Sequence, residues 1–208
     1  MKLDLLRNSL ANLAGGLVPA LVTLLTLPFI VGVLGSESYG VFVLITSIIG
    51  YFSVLDLNVT AGSVKFVAEH HATGNVGARN QTIVCGLGLY VVIGATGCLL
   101  IFFYSNILIL NVFLIPEAIQ ASAAESLRLA AWGFLFGQIQ IYLQSVPQAI
   151  RRYDWTAAVE SAFGVAVPFA TVAVLWLGHG LFEVVLVRIA ASVLNIALLA
   201  AVIRKLLP

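Results

Sequence analysis

Long apolar segments separated by short polar ones run through the sequence from one end to the other. Each apolar segment is about 19–26 residues long, which is enough for a helix to cross a hydrocarbon core of about 30 Å. Segments of about ten residues with alternating polarity, typical of transmembrane β-barrels, do not occur. The pattern predicts an all-α integral membrane protein whose six spans lie at approximately residues 9–34, 39–57, 81–104, 126–147, 155–177 and 181–203.

The composition agrees with a membrane protein and argues against a soluble one. Hydrophobic residues make up 61% of the 208 residues and charged residues only 9%, and the mean hydropathy is +1.09. Soluble domains are typically about 45–50% apolar and about one quarter charged, so a soluble fold could not cover its surface with so few charges. The net charge of +1 gives no general attraction for nucleic acid, and we expect no nucleic-acid partner.

The first apolar segment follows a basic start, as the apolar part of a signal peptide does. It is far longer than the roughly 7–15 residues that a signal peptide uses, so we expect an uncleaved first span. No linker or internal repeat divides the sequence. We therefore expect residues 1–208 to form one membrane unit.

Two of the predicted connections are long enough to hold further structure. Residues 58–80 contain GSVKFVAEHHATGNVGARN, which predicts a helix at the membrane interface followed by a glycine-rich turn. Residues 105–125 contain NILILNVFLIPEAIQASAAE, which predicts a second surface helix that ends at Pro116.

Basic residues concentrate in alternate connections. Eight of the ten lysines and arginines fall as two in each of four segments: before span one, between spans two and three, between spans four and five, and after span six. Loops rich in lysine and arginine stay on the cytoplasmic side of a membrane, so we predict that both termini are cytoplasmic. The pairs are Lys2 with Arg7, Lys65 with Arg79, Arg151 with Arg152, and Arg204 with Lys205.

Three predicted spans carry polar or small residues along one face, each face covering a sector of roughly 80°. Close helix packing and amide bonds across helices are one interpretation of these faces. A water-filled passage is the other, because a row of three amides exceeds what a single contact needs. The faces are Asn8, Asn12, Gly16, Pro19, Thr23 and Thr26 in span one, Gly133, Gly137, Gln140, Gln144 and Gln148 in span four, and Arg188, Ser192 and Asn195 in span six.

Charged residues and prolines inside the spans are further candidates. Arg188 lies several residues into span six, where a guanidinium usually faces a cavity or a counter-charge, although it can also extend to the membrane surface. Pro19 bends span one, either as a hinge or as fixed shape. Asp56 and Glu160 lie near the ends of spans two and five, where they can pair with nearby basic residues or take part in gating.

Motifs of catalysis are not found in the sequence. There is no Ser–His–Asp pattern, HExxH motif or Walker-type glycine-rich loop, and no cluster of cysteine and histidine with metal-ligand spacing. An enzyme that acts on membrane lipids and gathers its residues from several helices stays open as an alternative. We predict a protein that is not an enzyme and has neither a cofactor nor a metal site.

One stretch, LPFIVGVLGSESYGVFVLITSIIGYFSVLDLNVTAGSVKFVAEHHATGN, resembles the start of bacterial polysaccharide-export flippases. That family commonly has a proline-bearing first helix, an LG.e.YG.y turn, a second helix ending lDLG, and an amphipathic vrfvae stretch. VPQAIRRYDWTAAVE also resembles the connection between spans four and five in that family, whereas Asn58 replaces a usual glycine. The matching residues are Pro28, Leu34, Gly35, Glu37, Tyr39, Gly40, Leu55, Asp56, Leu57 and the segment 65–69.

The resemblance implies a fold and a function. The family belongs to the multidrug, oligosaccharidyl-lipid and polysaccharide exporter superfamily, whose members are V-shaped transporters with two six-helix lobes around a central cavity. This sequence then corresponds to one lobe, which implies a second lobe or a homo-oligomer as partner. The implied substrate is a polyprenyl-diphosphate-linked oligosaccharide, moved between the leaflets of the bacterial cytoplasmic membrane for surface polysaccharide synthesis, with the lipid tail left in the bilayer between the lobes.

On that interpretation, cationic groups bind the diphosphate, and amides and hydroxyls bind the sugars. A cation-coupled exporter of the multidrug type, which needs an acidic cavity, stays open, as does a non-transporting scaffold or an inactive half-transporter. The candidates for substrate binding are Arg188, Arg128, Gln140, Gln144, Gln148, Asn12, Thr23, Ser192 and Asn195. The candidates for gating or charge coupling are Asp56, Glu160 and Pro19.

Overall fold

The structure is a computed structural model, which describes residues 2–53, 59–113 and 115–207, with side chains for 16–50, 60–113 and 115–207. Asp56 and the side chain of Asn12 therefore lie outside the described residues. The described part of the chain is all-helical. Its α-helices are α1 (Lys2–Ser53), α2 (Val59–Ala72), α3 (Val76–Ile107), α4 (Glu117–Ala149), α5 (Tyr153–Trp176) and α6 (Leu181–Leu206).

Helix α1 consists of two limbs that meet at one glycine. Gly35 has φ 77° and ψ 159°, so the helix breaks there. This backbone conformation is open to glycine and unfavourable for residues with a side chain. The first limb, residues 2–34, and the second limb, residues 36–53, correspond to the predicted spans 9–34 and 39–57. They are joined at Gly35 instead of by the short loop that the sequence led us to expect.

The predicted helix and turn after the second limb are both present. Helix α2 is followed by a turn in which Gly74 has φ 70°. The Asn75 side chain then accepts a hydrogen bond from the Ala78 backbone at 3.1 Å and so caps the start of α3. A position of α2 at a membrane interface stays a prediction.

Hydroxyl groups tie α2 to the two helices beneath it. Thr60 of α2 forms a hydrogen bond with the phenol of Tyr90 on α3. Ser63, one turn further along α2, lies 3.0 Å from the phenol oxygen of Tyr142 on α4. Both tyrosines are fully buried, so the attachment is part of the packed interior.

The prediction of a second surface helix within residues 105–125 is wrong. Helix α3 continues into a π-helical turn, Leu108–Val112, and α4 begins at Glu117. The apolar residues of this region complete α3, and Ile109 is fully buried. Pro116 precedes the first turn of α4, where a residue without an N–H is well tolerated. Proline here starts a helix and does not end one.

Four helical stretches in the described chain are long and apolar enough to cross a membrane: Gly16–Gly50, Val76–Val112, Tyr153–Trp176 and Leu181–Leu206. The first of them includes both limbs of α1 around Gly35. Helix α4, which contains the predicted span 126–147, is not among them, since its glutamines and arginine lower its hydropathy. The all-helical membrane class is therefore confirmed, and six spans arranged as one lobe stay a prediction.

Helix α4 lies at the centre of the packing, where it makes its most extensive contacts with α3 and α6. Glycines of α3 allow the close approach. A side chain at Gly94 would lie 2.8 Å from Cδ1 of Leu135, and side chains at Gly86 and Gly97 would overlap the rings of Tyr142 and Phe134. Small residues at helix interfaces are typical of membrane proteins, because they let the backbones come close.

Candidate functional site

Arg188, about two turns into α6, is the centre of the candidate site. Its guanidinium carbon lies 4.6 Å from the centre of the Phe42 ring, which belongs to the second limb of α1. This is a favourable cation–π distance. Within the described part of the chain, the guanidinium has neither a hydrogen-bond partner nor a carboxylate partner. Its five N–H donors are therefore available to a ligand.

A larger cavity opens on one side of Arg188, between the second limb, α4 and α6. We call it the apolar cavity; its volume is about 330 Å³. Gly133 and Gly137 of α4 form part of its wall and leave it open. Apart from Arg188, its lining carries no charge. The lining residues are Phe42, Ile45, Thr46, Ile49, Gly50, Ala130, Gly133, Gly137, Val185, Arg188, Ile189 and Ser192.

A smaller cavity opens on the other side of Arg188, between α4, α5 and α6. We call it the polar cavity; its volume is about 200 Å³. Arg188 and Ser192 line both cavities and so form the boundary between them. The lining residues of the polar cavity are Gln140, Phe163, Val167, Arg188, Ala191, Ser192 and Asn195. The structure thus brings Gln140, Arg188, Ser192 and Asn195 together, all of which the sequence had proposed.

Asn195 carries an unsatisfied acceptor in the polar cavity. The residue is only 2% exposed, and its Oδ1 has no hydrogen-bond partner in the part of the chain that the structure describes. A buried polar atom without a partner costs roughly 1–3 kcal/mol. A ligand hydroxyl or amine that donates to Oδ1 would remove this cost, so Asn195 favours a ligand that carries hydrogen-bond donors.

Arg128, the other arginine proposed from the sequence, lies away from both cavities. Its Nε donates a hydrogen bond to Ser105 Oγ on α3, at 3.1 Å. Ser105 is fully buried, so the interaction joins α3 and α4 inside the packing. Arg128 is placed to hold two helices together, and the two arginines are not gathered at one site.

The remaining glutamines and the acidic candidate are also placed outside the two cavities. Gln144 and Gln148 continue the row on α4 and are half-buried, but neither lines the apolar or the polar cavity. Gln138, which lies off that row, is buried, and its Oε1 is unpaired as far as the described side chains are concerned. Glu160 is exposed on α5.

Pro19 and Thr23 are the two candidates on the first limb whose side chains are described, and they interact with each other. The Thr23 hydroxyl donates to the Pro19 carbonyl at 2.9 Å, an interaction within the helix. Pro19 packs against Gly164 of α5, where an added side-chain carbon would lie 2.7 Å from the proline Cβ. This contact favours Pro19 as part of a packed surface between the first limb and α5.

Phe42 is the residue that sequence reasoning missed. It is a phenylalanine among many apolar residues of the second limb, and only its position under Arg188 distinguishes it. The sequence gives no sign that Phe42 contacts Arg188, because the two residues are distant in the chain and lie on different helices.

Comparisons with known proteins give one informative match. No protein-family profile matches the sequence, and no solved structure matches it. The chain is similar to a Shigella flexneri protein named "Putative O-antigen transporter". The two sequences are 26% identical over 104 residues, which is 50% of this chain and 24% of the relative. The chain thus matches about a quarter of the length of that curated relative.

Proposed function

We propose that this chain belongs to a transporter that flips a polyprenyl-diphosphate-linked oligosaccharide across the bacterial cytoplasmic membrane by alternating access. The observation that carries the proposal is Arg188, which lies at the boundary of two cavities and has neither a hydrogen-bond partner nor a carboxylate partner among the described residues. A charge in such a place is costly and is usually retained for a ligand or an ion pathway. Its positive sign favours an anionic substrate.

A diphosphate is an anionic group that suits the Arg188 guanidinium. The guanidinium presents a planar fork of donors that matches phosphate oxygens, and it keeps its charge in a partly apolar site. Ser192, one turn along α6, adds a hydroxyl at the same boundary. Together they supply donors for more than one phosphate oxygen.

The polar cavity supplies the chemistry that sugar hydroxyls need. Gln140 offers an amide with both donors and acceptors, and Asn195 offers an acceptor that has no partner among the described residues. A sugar hydroxyl can donate to one and accept from the other. The name of the Shigella flexneri relative gives separate support for a polysaccharide-related substrate.

A cation-coupled exporter of organic cations fits this site less well. Such an exporter requires a carboxylate in its binding cavity. Among the described residues that line the two cavities there is an arginine and neither aspartate nor glutamate. The relative's name indicates transport and so also argues against a purely structural membrane scaffold.

The grouping of basic residues supports an orientation with both termini in the cytoplasm. Ile83, near the start of α3, packs in one cluster with Val146, near the end of α4, and Ile203, near the end of α6. Lys205 lies 5.3 Å from the ring of Trp155, at the start of α5. The basic pairs near these helix ends therefore share one end of the bundle, which the charge rule assigns to the cytoplasm.

A proteoliposome assay tests the function. The purified chain is reconstituted with a short polyprenyl diphosphate that carries a fluorescent disaccharide, and an impermeant quencher reports how fast the label changes leaflet. We expect faster exchange than in liposomes without protein, and loss of the gain with Arg188→Ala. An assembly of two or more lobes that binds no such substrate and gives no exchange would contradict the proposal.

We also propose that the chain works with a second lobe, either another copy or a different chain. Single-molecule photobleaching counts the chains in each liposome in the same assay. We expect exchange only where more than one lobe is present. Rapid exchange by liposomes that hold a single chain would contradict the two-lobe mechanism without contradicting the substrate.

A further inference from the structure

We infer that the apolar cavity holds the first isoprene units of the lipid, so that Arg188 binds the diphosphate at the boundary of a lipid subsite and a sugar subsite. The inference rests on the proposed function and deepens it. It also differs from the expectation that the whole lipid tail stays in the bilayer.

The order of the groups along α6 carries the argument. The apolar cavity, the Arg188 guanidinium and the polar cavity follow one another, and Arg188 and Ser192 line both cavities. A polyprenyl-diphosphate sugar has the same order: an apolar chain, an anionic group and a hydroxyl-rich ring. A substrate whose phosphates contact Arg188 therefore has an apolar space on one side and a polar space on the other.

The lining of the apolar cavity suits a branched hydrocarbon chain. Ile45 and Ile49 of the second limb face Ile189 of α6 across the space, and Phe42 covers the end near the guanidinium. Burial of a hydrocarbon chain against such side chains is favourable roughly in proportion to the area removed from water. A sugar in this space would lack hydrogen-bond partners for most of its hydroxyls.

Gly137 keeps the space open. A side chain at this position would meet no atom within 4 Å, so the missing side chain is not required for helix packing there. The glycine lies on the wall of the cavity and thus leaves room for a ligand. A large side chain at Gly137 can extend into the cavity without a clash at its Cβ, which makes the position suitable for a test.

Binding of small soluble probes to the chain in lipid nanodiscs measures the lipid subsite. The probes are inorganic pyrophosphate and geranyl diphosphate, which share the anionic group and differ in two isoprene units. We expect geranyl diphosphate to bind at least about tenfold more tightly, since each buried methylene contributes a several-fold gain. Arg188→Ala should weaken both probes, which separates specific binding from partition of geranyl diphosphate into lipid.

Filling the cavity should remove the advantage of the prenyl chain. We expect the affinity ratio of the two probes to fall to near one in Gly137→Leu. Gly88→Leu is the matched control, because Gly88 is an exposed glycine of α3 that also has no atom within 4 Å of an added side-chain carbon. The ratio should stay as in the unaltered chain in this control.

A photo-crosslinking measurement needs no variant. A diazirine on the second isoprene unit of geranyl diphosphate should label peptides that contain Ile45, Ile49 or Ile189. Equal affinity of the two probes, a ratio that survives Gly137→Leu, or labelling confined to other helices would overturn the inference. If the assembly flips its substrate but binds the two probes equally, only the lipid subsite is refuted. If geranyl diphosphate binds more tightly but the assembly flips nothing, only the proposed function is refuted.

Discussion

The Arg188 guanidinium lies over the Phe42 ring, with 4.6 Å between its central carbon and the ring centre. One residue belongs to the last helix and the other to the limb that follows the break at Gly35. The contact therefore joins two elements that are far apart in the chain. It also forms a shared edge of the apolar cavity, so a relative movement of the two elements changes access to that cavity.

Substitution of Arg188 should impair transport much more than it impairs folding. Arg188→Ala removes hydrogen bonds to a charged group worth about 1.5–3 kcal/mol, so we expect a loss of about ten- to hundredfold in flipping rate. Arg188→Lys should retain part of the rate, because the charge remains and the planar fork is lost. Arg128→Ala is the control with an equal charge change on α4, and the proteoliposome assay should give it a rate near that of the unaltered chain. A normal rate for Arg188→Ala, with an equal amount of folded protein, would show that Arg188 has a structural role.

Substitution of Asn195 should separate stability from binding. Asn195→Leu replaces a buried amide, whose Oδ1 is unpaired among the described residues, with an apolar group of similar size, so we expect the melting temperature to stay the same or rise. Loss of a neutral hydrogen bond to the substrate should weaken its binding by about three- to tenfold. Thermal unfolding in detergent and a binding titration measure the two effects. A clear fall in melting temperature with unchanged binding would contradict the assignment of Asn195 to the sugar subsite.

Two glycines on α3 should respond in opposite ways to alanine. Gly86→Ala forces a methyl group into the Tyr142 ring, so we expect the free energy of unfolding to fall by about 1–3 kcal/mol. Gly88→Ala meets no atom within 4 Å, and its better helix propensity should raise that free energy by up to about 1 kcal/mol. Denaturant titration in mixed micelles compares them. Gly86→Ala should cost less in a Tyr142→Leu background than in the unaltered chain, because the ring that it meets is then absent. An equal response of the two glycines would contradict this account of the packing.

The orientation can be tested by labelling single cysteines from outside the cell. Cys85 is exposed and is first replaced, together with Cys98, so that the background does not react. We expect an impermeant reagent to label Glu117→Cys and His179→Cys and to leave Thr73→Cys and Tyr153→Cys unlabelled. His179 is preferable to the neighbouring Gly178, because Gly178 has φ 84° and a side chain there would be strained. All four tested residues are exposed, so the opposite pattern would reverse the predicted topology.

The candidate residues that the structure brings to the two cavities share one physical property. Gln140, Arg188, Ser192 and Asn195 are polar positions on otherwise apolar helices, and helical geometry assigns the last three to one face of α6. Such residues are expensive in an apolar setting, so their presence already indicates a cavity or a partner. Local sequence was sufficient to assign them to polar faces of their own helices, and the packing of α4 against α6 brings these faces together.

The parts that the sequence did not predict depend on contacts between helices. Arg128 and Arg188 are both arginines within predicted spans. Arg128 donates a hydrogen bond to the Ser105 hydroxyl on α3, whereas Arg188 lies over the Phe42 ring. The choice is set by which helix packs beside each arginine. Similarly, Pro116 is compatible with the end of one helix or the start of another, and the burial of Ile109 on α3 decides between them.

The close seam between α3 and α4 has a consequence for the way in which this protein can move. Aromatic rings of α4 occupy the spaces above Gly86 and Gly97, and Leu135 occupies the space beside Gly94. Rotation or sliding of one helix against the other would drive these side chains into a backbone, so we expect the two helices to move together. If the chain works by alternating access, as we propose, the change from inward to outward access is then expected at boundaries other than the one between α3 and α4.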